Sequence, residues 1–517
     1  MALALSPVCS STAAAPPPPS AIAFPPRPDA MASPSRPLED SSCAGSHKWP
    51  SLAGDGSKAF KHSTTLWKMA AAHVLLFPWP LQGHLNPMLH LSSALLDAGL
   101  HVTLLHTHHN LRRLSLLFHS MSTAGSEAYR AVLRRDTSSS SPVTCVIADG
   151  TMPFAITVAE DVGVPAMAFR PESACGFLAY LSMPKLLELG ELPSPSDEPV
   201  RGVAGMDAGL LRRRDLPRVA PSDPDPVAVL RAVAATAARC VESRALILNT
   251  STPMEAAAVA YIAAQVRGEV FAVGPLHATP AAAAEREVAG AGAEGGGCTA
   301  WLDGHADRSV LDDGVTYGAR RAPPWLGRRR MVLDDDDDDG GGEVVDVLRL
   351  AEKAVANAGE ERAMVTEWAA HRDVHGVLGH RAVGCFVTHA GWNSVLELAV
   401  KGVPAVCWPY FADQQTVSRF VGAVWGNGLD MKDAVCDRDV VARMVREAME
   451  SVEIREKAEA MARRLRMDVE KGGSSAKDLD RLVGFITEPS SSAAAQQLQS
   501  SPGDDGADKN SSSPLIA

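Results

Sequence analysis

The chain has 517 residues, of which 46% are hydrophobic and 21% charged, and its net charge is −12. That length allows two or three domains with real cores, and the acidic balance argues against non-specific nucleic-acid binding, which needs a basic surface. Nine cysteines run from Cys9 to Cys436 without a CxxC pair, which fits the reduced thiols of a cytoplasmic protein rather than a disulfide framework. No uncharged run of 18 apolar residues occurs, so no membrane span is expected.

Met1 to Lys68 is rich in Ala, Pro and Ser and contains Pro16-Pro17-Pro18-Pro19. Such a stretch cannot build a packed core and is expected to be disordered. Its early lack of acidic residues also suits a plastid transit peptide. Only Arg27 and Arg36 supply arginine, however, and Asp29, Glu39 and Asp40 interrupt it, so a dispensable extension ahead of Met69 is preferred.

The first element is an apolar strand, His73-Val74-Leu75-Leu76-Phe77, followed by a loop from Pro78 to His84. Met88, Leu91 and Leu95 give Asn86 to Ala98 a helical spacing, and Gly99 supplies a C-cap. His101 to Leu105 is the next strand, which completes a βαβ unit and predicts a parallel sheet. Val143 to Ala148, Ala166 to Phe169, Ala245 to Asn249 and Val270 to Val273 read as further strands, with a helix over Ile156 to Asp161. Gly274-Pro275-Leu276 marks a break.

From about His277 to Gly342 the pattern is lost. Arg328-Arg329-Arg330 precedes a run of aspartates from Asp334 to Asp339 and then Gly340-Gly341-Gly342. The run lacks the alternating spacing and closing carboxylate of a cation loop and reads as a solvated segment. A second α/β series comes next. Its strands are Ala363-Met364-Val365, Cys385 to Thr388 and Pro404 to Cys407. Its helices are Ser394–Val400, Thr416–Val421, Val440–Ser451, Ile454–Lys471 and Leu479–Ile486. The expected division is an extension (1–68), a first domain (69–275), an irregular linker (276–345), a second domain (346–488) and a polar tail (489–517). Two doubly wound domains would place ligands outside the carboxyl ends of their strands, facing the cleft between them.

Two blocks carry chemistry. Thr388-His389-Ala390-Gly391-Trp392-Asn393-Ser394, with Glu397 and then Asp413-Gln414, reads as a strand, a tight glycine turn and a helix starting near Ser394. That geometry aims free N–H groups and a positive dipole end at one point, which suits a phosphate. Ser394-Val395-Leu396-Glu397 also reads as a capping box, but capping does not account for His389, Trp392 and Asn393. The other block is Phe77-Pro78-Trp79-Pro80-Leu81-Gln82-Gly83-His84-Leu85-Asn86-Pro87, at the end of the first strand. An imidazole there can act as a base near neutral pH. By itself His84 could equally be a surface or capping histidine.

Together the blocks resemble plant family 1 UDP-glycosyltransferases over most of residues 70–488. The resemblance implies an α/β fold of the GT-B type: two Rossmann-like doubly wound domains facing a cleft. It implies transfer of glucose from UDP-glucose to a hydroxyl or carboxyl of a small lipophilic acceptor, with inversion. UDP-glucose would be a co-substrate, no metal would be needed, and the protein would be a monomer. His84 stands where the family has its catalytic histidine. Asp149, in Val146-Ile147-Ala148-Asp149-Gly150, stands where the family has the aspartate that orients it; otherwise it would be an Asp-Gly turn. Trp368 and Ala369 open the donor box, with Trp368 stacking on uracil unless it is merely a core indole. His371 would reach the ribose. His389 and the amides near Asn393 and Ser394 would hold the diphosphate, and Trp392 would lie against the sugar. Glu397 would take the ribose hydroxyls. Asp413 and Gln414 would bond the sugar hydroxyls, although Asp413 also suits a helix N-terminus. Glutamine at the last position is similar to glucose-preferring members.

Three departures stand out. Trp368-Ala369-Ala370-His371 replaces the family's usual Trp-Ala-Pro-Gln, and His375-Gly376-Val377 reads as an insert. After Ser309-Val310, Leu311 to Arg330 shows no strand pattern and no Ser-Phe-Gly-Ser-like phosphate loop, so a central strand is expected to be missing and the second domain to be incomplete. The chain between the strands at His101 and Val143 is shorter than usual. An alternative is therefore a catalytically impaired remnant of a glycosyltransferase. A nucleotide-sugar epimerase, which can share the architecture, fits the His84 block less well.

Overall fold

The computed structural model describes residues 72–79, 81–105, 126–136, 142–193, 195–202, 210–219, 224–284, 296–313, 325–328, 363–366, 376–432 and 438–488, all within Lys68–Ala517. The terminal segments, the aspartate run and the Trp368, Ala369 and His371 positions lie outside these residues.

The first layer system begins with β1 (His73–Phe77), α1 (Gln82–Asp97) and β2 (His101–Leu104). It continues through α2 (Ser126–Asp136), β3 (Cys145–Asp149), α3 (Pro153–Asp161), β4 (Ala166–Arg170) and α4 (Ala174–Glu188). α5 (Pro226–Val241), β5 (Ala245–Leu248), α6 (Thr252–Ala263) and β6 (Glu269–Ala272) complete it. The strands form one parallel sheet in the order β2-β1-β3-β4-β5-β6. A parallel sheet is covered on both faces, so its strands are apolar throughout. The two-residue period divides them: Leu75, Val146, Ala168 and Leu246 face one core, while Val74, Leu76, Ile147, Met167 and Ile247 face the other.

The second system comprises α7 (Gly296–Asp303), β7 (Val310–Asp313), β8 (Trp325–Arg328), β9 (Ala363–Thr366) and β10 (Val383–Thr388). It goes on with α8 (Trp392–Lys401), β11 (Ala405–Cys407), α9 (Gln414–Arg419) and β12 (Gly428–Asp430). α10 (Arg438–Glu450), α11 (Val452–Val469) and α12 (Ser474–Thr487) end it. Its strand order is β12-β11-β10-β7-β8-β9, again all parallel.

Two expectations are corrected here. The stretch Leu311 to Arg330 is not without strands: β7 occupies the centre of the second sheet beside β10, and β8 pairs with it. The signal was hard to read because Asp312-Asp313 and Gly327-Arg328 break the apolar run that a central strand usually shows. For the same reason the second sheet starts at Val310, well before residue 346, and the proposed linker contains part of the second domain.

The C-terminal helix returns to the first system. Leu482 and Ile486 of α12 are buried with Val74, Leu76 and Phe271. Asp478 accepts the Ala272 N–H at 2.9 Å, and Ser475 donates to the Gly274 carbonyl at 2.6 Å. Elsewhere Asp215 and Lys432, both buried, pair at 2.7 Å across the two systems. Arg218 and Ala412 exchange backbone hydrogen bonds of 3.1 and 2.7 Å. These ties fix the carboxyl edges of the two sheets against one another. No helix among the described residues is long and apolar enough to cross a membrane.

Candidate active site

β1 and β3 are neighbours in the first sheet, so the turn leaving β1 lies beside the carboxyl end of β3. His84 lies in the first turn of α1, which begins at Gln82 rather than near Asn86 as the spacing suggested. Its Nδ1 is 2.8 Å from Asp149 Oδ2. The carboxylate is fully buried, while the imidazole keeps 24% of its surface exposed. The other oxygen, Asp149 Oδ1, accepts the Thr151 N–H at 2.9 Å and the Thr151 hydroxyl at 2.6 Å. Thr151 therefore holds the carboxylate in place, the carboxylate holds Nδ1, and Nε2 is the nitrogen left for a substrate.

Charge follows geometry. Burial alone would lower the His84 pKa. The Asp149 carboxylate, by charge and hydrogen bond, overrides it, and the pKa lies above the ordinary histidine value of 6.5. Burial would likewise raise Asp149, but His84 and Thr151 hold its carboxyl below the usual range.

On the facing edge, β10 ends at Thr388 and the chain turns through His389, Ala390 and Gly391 into α8. Ala390 adopts φ 63°, a left-handed conformation that costs a non-glycine residue about 1–2 kcal/mol. A Cβ at Gly391 would stand 2.3 Å from His389 Nε2, so any side chain there would displace the His389 imidazole. The helix begins at Trp392 with Gly391 as N-cap and no side-chain cap. This corrects the capping-box reading: Ser394 sits inside the first turn, and the N-cap residue Gly391 has no side chain to take up that turn's N–H groups. The exposed helix end is a fitting seat for an anion.

The structure redistributes three residues of the donor box. The Trp392 indole, expected against a sugar, is buried, and its Nε1 donates to the Asn249 carbonyl at 2.8 Å. It stacks tilted on Trp425 with centroids 6.0 Å apart and pins one domain to the other. Asn393 also crosses over, its Nδ2 donating to the Gly83 carbonyl at 2.8 Å, next to His84. Gln414, expected to bond sugar hydroxyls, uses its oxygen to accept the Tyr410 and Phe411 N–H groups at 2.9 and 3.2 Å. Only its nitrogen remains for a ligand. His389 is half-buried and Glu397 is buried on α8.

Asp413 behaves differently. Its Oδ2 is buried without a hydrogen-bond partner among the described residues. Burial first, and then the Glu172 charge, push its carboxyl up to about 7. A buried acceptor left unpaired costs about 1–3 kcal/mol, and Oδ2 packs against Gly176 of α4.

Residues absent from the sequence reading support this site. Glu255, buried on α6, accepts the Ala174 and Cys175 N–H groups at 2.8 and 2.9 Å and the Thr250 hydroxyl at 2.5 Å. It anchors the N-terminus of α4, whose Gly176 packs directly on Asp413. Arg170, buried at the end of β4, pairs with Glu172. A charged pair interrupting Ala166 to Phe169 and the apolar start of α4 was the available sequence signal. Ala412 at φ 57° is a second left-handed alanine, directly before Asp413; nothing in its residue type announces it.

Comparison with known proteins agrees with this architecture. Residues 347–463 match the family described as UDP-glucoronosyl and UDP-glucosyl transferase. A myricetin 3-O-rhamnoside 1,2-glucosyltransferase of Crocosmia x crocosmiiflora is 35% identical over 463 residues, covering 81% of this chain and 96% of that protein. A 7-deoxyloganetic acid glucosyltransferase of Catharanthus roseus is 33% identical over 477 residues, covering 80% and 97%. Among solved structures, a UDP-glucosyltransferase from Polygonum tinctorium superposes with a TM-score of 0.65 at 22% identity, covering 82% of this chain and 100% of that one. The chain belongs to the plant family 1 UDP-glycosyltransferases, GT-B enzymes that transfer the sugar of a UDP-sugar to small acceptors.

Proposed function

We propose that the protein transfers glucose from UDP-glucose to a hydroxyl or carboxyl group of a small lipophilic acceptor, with inversion and without a metal. The observation that carries this reading is the 2.8 Å bond between His84 and buried Asp149 at the cleft edge. With a hydroxyl acceptor, Nε2 of His84 takes the proton as the oxygen attacks the anomeric carbon, and Asp149 stabilises the imidazolium that forms. UDP leaves towards the start of α8, with His389 and the backbone amides near Asn393 and Ser394 at the diphosphate. Trp368, Ala369 and His371 would serve uridine, and Glu397 the ribose. Asp413, and Gln414 through its nitrogen, would meet the sugar. The described cysteines are free thiols, which supports a reducing compartment, the cytoplasm.

The test is UDP release from UDP-glucose and from UDP-galactose with a panel of phenols and terpenols. Glucose should be preferred; equal use of both removes Gln414 from its role. The same assay in EDTA should run at an unchanged rate, and a loss that magnesium restores would overturn the metal-free reading.

A second reading, an impaired transferase, rests on residues 314–324. In sequence, these eleven residues between β7 and β8 contain no Ser-Phe-Gly-Ser-like motif. Release at background with every acceptor would favour it.

A further inference from the structure

The connection from β5 to α6 is gripped from the second domain. Trp392 Nε1 donates to the Asn249 carbonyl at 2.8 Å, and Trp425, between α9 and β12, donates through Nε1 to the Met254 carbonyl at 3.2 Å. The buried Ser251 hydroxyl donates to Asp468 Oδ2 at 2.5 Å. Within the first domain the same connection ends on Glu255, which is almost wholly buried. Its carboxylate takes the Ala174 and Cys175 N–H groups at 2.8 and 2.9 Å and the Thr250 hydroxyl at 2.5 Å. Ser173 Oγ takes the next N–H of that turn, from Gly176, at 3.0 Å. The first turn of α4 therefore has no N–H left over and cannot shift without breaking these bonds. Gly176 then meets Asp413 of the second domain. A Cβ on Gly176 would stand 2.7 Å from both Cβ and Oδ2 of Asp413. Asp413 Cβ is fixed to the main chain, so it cannot swing aside as a side-chain tip can. That main chain is tied as well, since Ala412, at φ 57°, exchanges two backbone hydrogen bonds with Arg218 of the first domain.

We propose that Glu255 and Gly176 are positioning residues for the donor sugar: Glu255 fixes the first turn of α4, and the bare face of Gly176 seats Asp413 so that its carboxylate is aimed at the hexose of the UDP-sugar. The proposal rests on the transfer reading, in which Asp413 meets the sugar, and adds that the acceptor-side domain does the aiming. The contacts form a circuit. It leaves the second domain through Trp392 and Trp425, passes along the connection to Glu255, crosses to α4 and returns through Gly176 to Asp413. Trp392 opens α8, whose first turn is the seat for the diphosphate, and Asp413 serves the sugar. Buried hydrogen bonds thus set the distance between the two halves of the donor site. A carboxylate held in place before the donor arrives loses less freedom on binding it, which is the gain of preorganisation. Neither Glu255 nor Gly176 touches the donor, and the uridine half depends on other residues. Loosening the circuit at α4 therefore bears on the hexose and leaves UDP alone.

The experiment measures UDP and UDP-glucose binding by calorimetry, in the full chain and without acceptor, for wild type, Asp413→Ala, Glu255→Gln and Gly176→Ala. Glutamine at 255 has one accepting oxygen, and its NH2 group faces a backbone N–H, so the turn loosens. Gly176→Ala is the second variant should Glu255→Gln fail to fold: alanine favours a helix over glycine, so α4 keeps its form while the new Cβ displaces Asp413. Asp413→Ala should weaken UDP-glucose about tenfold, the worth of one hydrogen bond to a charged group, with UDP changed less than about twofold. Glu255→Gln and Gly176→Ala should each weaken UDP-glucose about three- to tenfold with UDP unchanged, and each should add less than about twofold in the Asp413→Ala background. Equal weakening of UDP and UDP-glucose, or full additivity with Asp413→Ala, overturns the proposal, because a merely structural role gives those results. A crystal structure of Gly176→Ala with Asp413 in its wild-type place overturns it too. If Asp413 is displaced in that crystal while Asp413→Ala leaves both affinities unchanged, the failure belongs to the sugar contact of the transfer reading, and the seating of Asp413 by α4 stands.

Discussion

The two sheet edges that face the cleft are built on different principles. The first edge is made of side chains. His84, Asp149 and Thr151 form a chain of hydrogen bonds of 2.8, 2.9 and 2.6 Å centred on a fully buried carboxylate. The second edge is made of backbone. A left-handed Ala390, a Gly391 packed on the His389 ring and an α8 whose N-cap residue has no side chain present N–H groups rather than charges. Its prominent side chains, Trp392, Asn393 and Gln414, are partly or wholly spent on holding the protein together. A base needs a tuned pKa, and only side chains supply one. A leaving diphosphate needs several donors fixed in advance, and backbone does that without needing to be charged.

The difference predicts opposite responses to substitution. Asp149→Asn keeps the shape of the first edge but removes the charge that raises His84. Turnover should fall about 10²–10⁴-fold, as should that of His84→Ala, with UDP affinity unchanged by calorimetry. In wild type, activity should fall as pH drops, because the base works only when neutral. Since the His84 pKa is raised, half-activity on the acid side should lie above pH 6.5, the ordinary value for a histidine. On the second edge, Gly391→Ala places a Cβ where His389 Nε2 stands 2.3 Å away, so the imidazole must move from its place at the turn. UDP binding should weaken about tenfold, the worth of roughly one hydrogen bond to a charged group, while the His84 titration stays in place. Equal damage to both readouts would mean that the two edges are not independent.

The same contrast explains what the sequence made legible. The first sheet was readable because its strands are near-continuous apolar runs, as sheets buried on both faces require. Asp149 was readable because it ends such a run, and His84 because it stands on the connection that leaves one. β7 and β8 were not, since Val310-Leu311-Asp312-Asp313 and Trp325-Leu326-Gly327-Arg328 carry too few apolar residues to stand out, and it is pairing with β10 and β9 that makes them strands. The start of α8 was misplaced by two residues because Ser394 and Glu397 imitate a capping box, whereas Gly391 ends the turn earlier. The inter-domain roles of Trp392 and Asn393 could not be read at all. Their partners, Asn249 and Gly83, lie 143 and 310 residues away, and a carbonyl acceptor leaves no mark in the sequence.

Asn393 is where the comparison can be sharpened, because it belongs to both edges. It sits in the first turn of the donor-side helix, yet its amide donates to Gly83, the residue before the base. If its main work is to hold the first turn of α1, Asn393→Ala should lower turnover with hydroxyl acceptors about three- to tenfold, the value of one hydrogen bond of ~1 kcal/mol. UDP affinity in the absence of acceptor should stay within about twofold of wild type. If the amide instead leaves Gly83 for the diphosphate when the donor binds, the pattern reverses: UDP binding weakens and turnover at saturating donor hardly changes. The expected outcome is the first. The Asn393–Gly83 bond is already made at 2.8 Å without a ligand, and breaking it would cost what a phosphate contact returns. Backbone N–H groups of Trp392 and Ser394 beside it can take the anion with no such exchange.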